Sequence, residues 1–102
     1  MNEKLSRQVI HTERLTVARI ILKKGAIVPE HRHANEQFSM IVSGALKFVL
    51  SGEEIVVRSG QVLPIPPYVP HSAEAVEDTV AIDVFTPPRA DWISGDDAYL
   101  RG

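Results

Sequence analysis

Valine, isoleucine and leucine gather in short runs that glycine, proline and serine interrupt. Runs over residues 15–22, 37–42, 45–50, 55–58, 61–65 and 79–86 read as β-strands, because β-branched residues bounded by turn formers suit a pleated, half-buried surface. No stretch keeps an i, i+3, i+4, i+7 apolar pattern over three turns, so helix is a minor component. Ser43-Gly44, Ser51-Gly52 and Ser59-Gly60 recur every eight residues. A strand of about six residues plus a two-residue turn has that repeat, so a β-meander is expected. In residues 79–86, Val80, Ile82 and Val84 share one face, and Ala81, Asp83 and Phe85 share the other.

Pro64, Pro66, Pro67 and Pro70 crowd one segment, which cannot be a central strand throughout. Pro87-Pro88 ends the last strong strand. The extension beyond it carries Trp92, Tyr99 and Leu100, and these large apolar groups are expected to dock it on the barrel. Before the first strong strand, Leu5, Val9 and Ile10 form an arm expected to add a strand to the sheet of a second copy, giving a homodimer. Many short strands at regular spacing, with no linker, imply a single all-β domain over residues 1–102, a small sandwich or barrel.

A length of 102 residues leaves room for one domain. The mix of 44% apolar and 24% charged residues is globular and excludes a disordered or fibrous chain. The absence of cysteine removes disulfides, zinc–thiolate sites, iron–sulfur clusters and thiol nucleophiles. A net charge of −2 without a clustered basic patch gives no footprint for nucleic acid. No apolar run approaches the roughly 20 residues of a membrane span, and the charged start is not a secretory signal. A cytoplasmic protein is therefore expected.

Three of the four histidines carry the candidate chemistry. His31 and His33 flank Arg32, and in extended chain residues two apart face the same way. Both imidazoles can then meet one ion. The same parity turns Gln37 towards them and Glu36 away, unless a bulge reverses it. His71 follows the proline-rich segment, where a barrel could bring it across. Surface histidines in loops are the alternative for each, and His11 reads as an ordinary surface or interface residue.

The spacings G-x5-H-x-H-x3-Q-x6-G over residues 25–44 and G-x5-P-x4-H over residues 60–71 resemble the two motifs of the cupin superfamily. The resemblance implies a single-domain cupin β-barrel of the jelly-roll type. It also implies one divalent transition-metal ion, and imidazole with oxygen donors suits Ni, Zn, Mn or Fe better than Ca or Mg. The chain departs from the pattern at Gln37, where glutamate is usual, at Tyr68, where glycine is usual, and at Ala75, where asparagine is usual. Three imidazoles and an amide would leave a bound dication its full charge. Such an ion clamps an anionic substrate better than it stabilises a higher oxidation state.

In a cupin the barrel mouth holds the metal, so Asp83 and Phe85 on a lumen-facing strand would put an acid/base group and an apolar wall beside it. Solvent is the other destination for that face. Arg89 follows Pro87-Pro88 and suits bidentate capture of a carboxylate, although most arginines are solvated. The segments His31 to Gln37, Ile65 to Ala75 and Asp83 to Trp92 together resemble pectin-degradation cupins of the KdgF type. In that family glutamine is a normal ligand. The resemblance implies metal ligands at His31, His33, Gln37 and His71, and further active-site residues at Asp83, Phe85 and Arg89. It implies conversion of 4,5-unsaturated monouronates, the products of pectin or alginate lyases, to linear keto forms by ring opening and ketonisation. A cupin dioxygenase and a non-catalytic binding or sensor domain for an acidic sugar are the competing readings.

Overall fold

The computed structural model describes residues 3–93. Its strands are β1 (Leu5–His11), β2 (Thr16–Leu22), β3 (Ile27–His31), β4 (Glu36–Ser43), β5 (Ala45–Leu50), β6 (Glu53–Arg58), β7 (Val62–Ile65), β8 (His71–Ala75) and β9 (Thr79–Thr86), followed by one helical turn, α1 (Ala90–Ile93). They form two antiparallel sheets, one of five strands in the order β1-β2-β9-β4-β7 and one of four in the order β3-β8-β5-β6. Leu5, Ala18, Ile41, Ala81 and Phe85 from the first sheet and Leu46, Phe48, Val57, Ala73 and Ala75 from the second meet in one core. This is the expected all-β architecture with minor helix. No described helix is long and apolar enough to cross a membrane.

Period-two alternation decides what enters the barrel. On β9, Thr79, Ala81, Asp83 and Phe85 are buried while their neighbours are half-buried. On β4, Gln37, Ser39 and Ile41 point in, and Glu36, Phe38, Met40 and Val42 are exposed. The two strands pair so that Ser39 stands opposite Asp83 and Gln37 opposite Phe85. Polar side chains from adjacent strands thus share one patch of the barrel wall.

The serine–glycine turns do not make a meander. Only Ser51-Gly52 closes a hairpin, joining Leu50 to Glu53 with both turn residues at positive φ (46° and 85°), as a type I′ turn requires. The strands flanking Ser43-Gly44 and Ser59-Gly60 belong to different sheets, so these turns are corners. They are stitched together by Ser59 N–H donating to the Gly44 carbonyl (3.2 Å) and Gly60 N–H to that of Ile41 (2.8 Å). Gly44 sits at φ +89°, and a Cβ there would collide with the Asp78 carbonyl and Thr79. Equal spacing in sequence does not distinguish a hairpin from a corner.

The N-terminal arm pairs with its own chain. Strand β1 runs antiparallel to β2 from Leu5 opposite Leu22 to His11 opposite Thr16. The connection is short and tied by Thr12, whose N–H donates to the Leu15 carbonyl (2.8 Å) and whose hydroxyl accepts from Leu15 N–H (3.0 Å). Pairing across so short a loop loses little chain entropy, and it buries Leu5 almost completely. After Pro87-Pro88, Trp92 docks on the barrel as expected, with its ring 5.0 Å from that of Phe85. Tyr99 and Leu100, expected to dock alongside it, lie outside the described residues.

Candidate metal centre

Strands β3 and β8 lack the apolar signature of the other strands, yet they deliver two of the histidines. Their register places His31 directly opposite His71, beyond an irregularity between Val28 and His31 that includes Pro29. The two rings lie 4.3 Å apart, and that of His33 lies 5.5 Å and 5.0 Å from them. One nitrogen from each of the three falls within 4.8 Å of the others. His33 sits in the loop between β3 and β4, not on a strand. The count of two that pairs it with His31 therefore reached the right face without a regular strand beneath it. Gln37 points in because it is the second residue of β4, in register with Ile65 and Phe85, and Glu36 is exposed.

The loop is held from two sides. Asn35, 6% exposed, donates from its amide to the carbonyls of Pro87 and, at 3.2 Å, of Pro88. Tyr68 N–H donates to the His33 carbonyl at 2.8 Å. Tyr68 adopts φ +63°, the left-handed conformation that glycine adopts most readily. Asn35 escaped the sequence reading. Its signal, an amide inside the motif four residues from His31, is not specific enough to reveal it.

Each imidazole has one nitrogen committed. Nδ1 of His31 lies 2.9 Å from the Pro29 carbonyl, that of His33 3.1 Å from the Asn35 carbonyl, and that of His71 2.8 Å from the Val69 carbonyl. A carbonyl only accepts, so Nδ1 carries the proton and Nε2 keeps its lone pair. Burial strips water from the charged form and lowers all three pKa values, to about 4 for His31 and His33. Neutral imidazoles result. His71 Nε2 is buried and has no hydrogen-bond partner among the described residues. His33 Nε2 faces Gln37 Oε1 at 3.0 Å, so two acceptors oppose each other. An orphaned lone pair and a pair of facing acceptors both fit a cation, and His31, His33, His71 and Gln37 could hold one.

Beside this cluster, Asp83 is deeply buried and its pKa rises from 3.8 to about 7. Desolvation dominates, opposed by a hydrogen bond from Ser39 and the charge of Arg89. Its Oδ1 has no hydrogen-bond partner among the described residues, and its Oδ2 lies 3.4 Å from the Gln37 amide nitrogen. Arg89 is 1% exposed. Its Nε and Nη2 donate to the two oxygens of Asp91 at 2.8 Å and 2.5 Å. The guanidinium lies over Phe85 (4.8 Å) and Trp92 (4.3 Å), and Arg7 from β1 covers Trp92 (4.0 Å). His31, Gln37, Asp83, Phe85, Arg89 and Arg7 all line a cavity of about 50 Å³. Neither Arg7 nor Asp91 was legible as part of the site in the sequence.

Residues 18–85 match the family described as Cupin domain. The chain belongs to the cupin family. This cupin is 26% identical over 96 residues to the pectin degradation protein KdgF of Dickeya dadantii (strain 3937), covering 91% of this chain and 87% of that protein. Among solved structures, KdgF from Halomonas sp. superposes with a TM-score of 0.84 at 30% identity, over 89% of this chain and 86% of that one. An RmlC-like cupin from Shewanella frigidimarina NCIMB 400 gives the same TM-score and identity over 90% and 84%. The resemblance to KdgF-type cupins read from the motifs thus extends across nearly the whole fold.

Proposed function

We propose that this cupin acts in the breakdown of pectin-type polyuronates. In this reading it is a metal-dependent enzyme that opens and ketonises 4,5-unsaturated monouronates. The observation that carries the reading is Asp83, a carboxyl with its pKa raised to about 7 in the same cavity wall as His31 and Gln37 of the three-histidine cluster. The similarity to KdgF proteins supports the substrate class.

In the reaction the anomeric hydroxyl gives up its proton and C1 becomes a carbonyl. The C1–O bond to the ring oxygen breaks, and its electron pair passes to that oxygen, now an enolate oxygen on C5. A proton added at C4 then completes the 5-keto acid. One proton leaves and one returns, so the change is an isomerisation needing no redox partner. His31, His33, Gln37 and His71 would hold a dication, which would supply Lewis acidity for the negative charge that develops. Asp83 carries the proton, since a group titrating near the working pH can both accept and donate. Phe85 packs at 5.7 Å from His33 and excludes water beside that group. Arg89 adds positive potential for the anionic substrate, with one edge of its guanidinium fixed by Asp91. A 50 Å³ cavity has room for an ion and a water or two, so the sugar ring lies at its mouth.

Homodimerisation belongs to the same proposal. The outer face of the five-stranded sheet exposes Phe38, Met40, Val42 and Val62, an apolar surface suited to a second copy. Sedimentation at micromolar concentration tests it, and a clean monomer refutes it.

The deciding experiment mixes metal-loaded protein with freshly made lyase product and follows the ultraviolet absorbance of the conjugated double bond. Its accelerated loss supports the enzyme. Saturable binding without turnover favours a sensor domain, and oxygen consumption by iron-loaded protein favours a dioxygenase.

A further inference from the structure

Ser39 has no part in the motif, yet it is fully buried (0% exposed) one inward position along β4 from Gln37. It stands directly across the sheet from Asp83. Its Oγ lies 2.9 Å from Gln37 Nε2. A serine hydroxyl has one proton to give and lone pairs with which to accept. Towards Gln37 it accepts, with the amide NH2 as the donor. The second amide proton points the same way, towards Asp83 Oδ2 at 3.4 Å. With its nitrogen end bound on this side, the amide turns Oε1 towards the histidines.

We infer that Ser39 is a positioning residue that sets the direction of the Gln37 amide, so that the oxygen and not the NH2 group meets the ion. The inference rests on the reading of Gln37 as a metal donor. A carboxylate at position 37 would offer an oxygen whichever way it turned. An amide offers one only in one of two orientations of nearly equal shape, so a chain with glutamine at this position needs a residue that chooses between them. Ser39 Oγ, with Asp83 Oδ2 on the same side of the amide nitrogen, makes that choice.

The test is a double-mutant cycle read by competition of Zn²⁺, and separately Ni²⁺, against a chromophoric chelator at fixed pH. Ser39→Ala in the parent should weaken metal binding roughly 10- to 100-fold, the usual effect of losing a partner behind a ligand. In a Gln37→Glu background the same Ser39→Ala change should weaken it less than about threefold, because the carboxylate needs no orienting. A merely structural role for Ser39 would cost the same in both backgrounds. Equal losses, or no loss in the parent, overturn the inference. Ser39→Cys, which keeps the volume and weakens the hydrogen bond, repeats the comparison if the alanine variant does not fold. Gln37→Ala separates the two levels of the argument. Unchanged affinity in that variant sinks Gln37 as a ligand, whereas a large loss there with equal Ser39→Ala losses sinks only the role of Ser39.

Discussion

Replacing Asp83 by asparagine should make the metal-free protein more stable, and increasingly so as pH rises. The folded barrel holds the Asp83 pKa at about 7, against 3.8 when the carboxyl is free in water, chiefly because burial penalises the charge. Between these values the folded protein keeps a proton that the unfolded chain releases. Rising pH therefore favours unfolding by about 1.4 kcal/mol per unit, and the cost levels off at roughly 4 kcal/mol above pH about 7. Asparagine has the same shape and no charge to bury. The stability gap between Asp83→Asn and the parent should widen by about 3 kcal/mol from pH 5 to pH 7, then stay flat. For a domain of this size that is roughly 10–20 °C in Tm. The histidines titrate in both proteins and cancel in the difference. Urea unfolding in chelator at several pH values measures the gap directly. A gap independent of pH, or one that narrows as pH rises, refutes a buried ionisable carboxyl. The same variant should keep its metal content and lose about 10²- to 10⁴-fold in kcat on an unsaturated uronate, since the proton carrier is gone.

Other outcomes follow from the same geometry. His33→Ala should weaken Zn²⁺ binding by more than about 100-fold in chelator competition, because a direct donor contributes more than the 10- to 100-fold of a supporting partner. With His31 and His33 near pKa 4, zinc binding at pH 6 should release well under about one proton, against about two for three unperturbed imidazoles. Calorimetry in buffers of different ionisation enthalpy gives that number. The same depressed values mean that the unfolded chain binds protons below pH 6.5 that the fold refuses. The metal-free protein should therefore lose stability as pH falls from about 6.5 to about 4, and His31→Ala should flatten that slope. Asp91→Ala would leave the buried Arg89 guanidinium without its carboxylate and should cost about 3 kcal/mol in chemical denaturation.

The architecture and the centre of the site were legible in one dimension because both depend on local periodicity. Alternation along residues 79–86 placed Asp83 and Phe85 on one face, the cupin resemblance implied that this face is the inner one, and the fold buries it. Motif spacing brought His31, His33, Gln37 and His71 into one reading. Three things needed the tertiary structure. The serine–glycine turns look alike in sequence, but which of them reverses within a sheet and which crosses between sheets depends on how strands pair. Strands β3 and β8 are short, polar or interrupted by proline, so their pairing is imposed by neighbours and not by propensity. The partners that orient the site are the least visible of all. Asn35 reaches Pro87 and Pro88, Arg89 spends one edge of its guanidinium on Asp91, Arg7 arrives from β1, and Ser39 meets Asp83 only through strand register. Periodicity assigns a side chain to a face, but a hydrogen bond needs a partner within about 3 Å. For residues distant in the chain, that partner exists only once the sheets have closed.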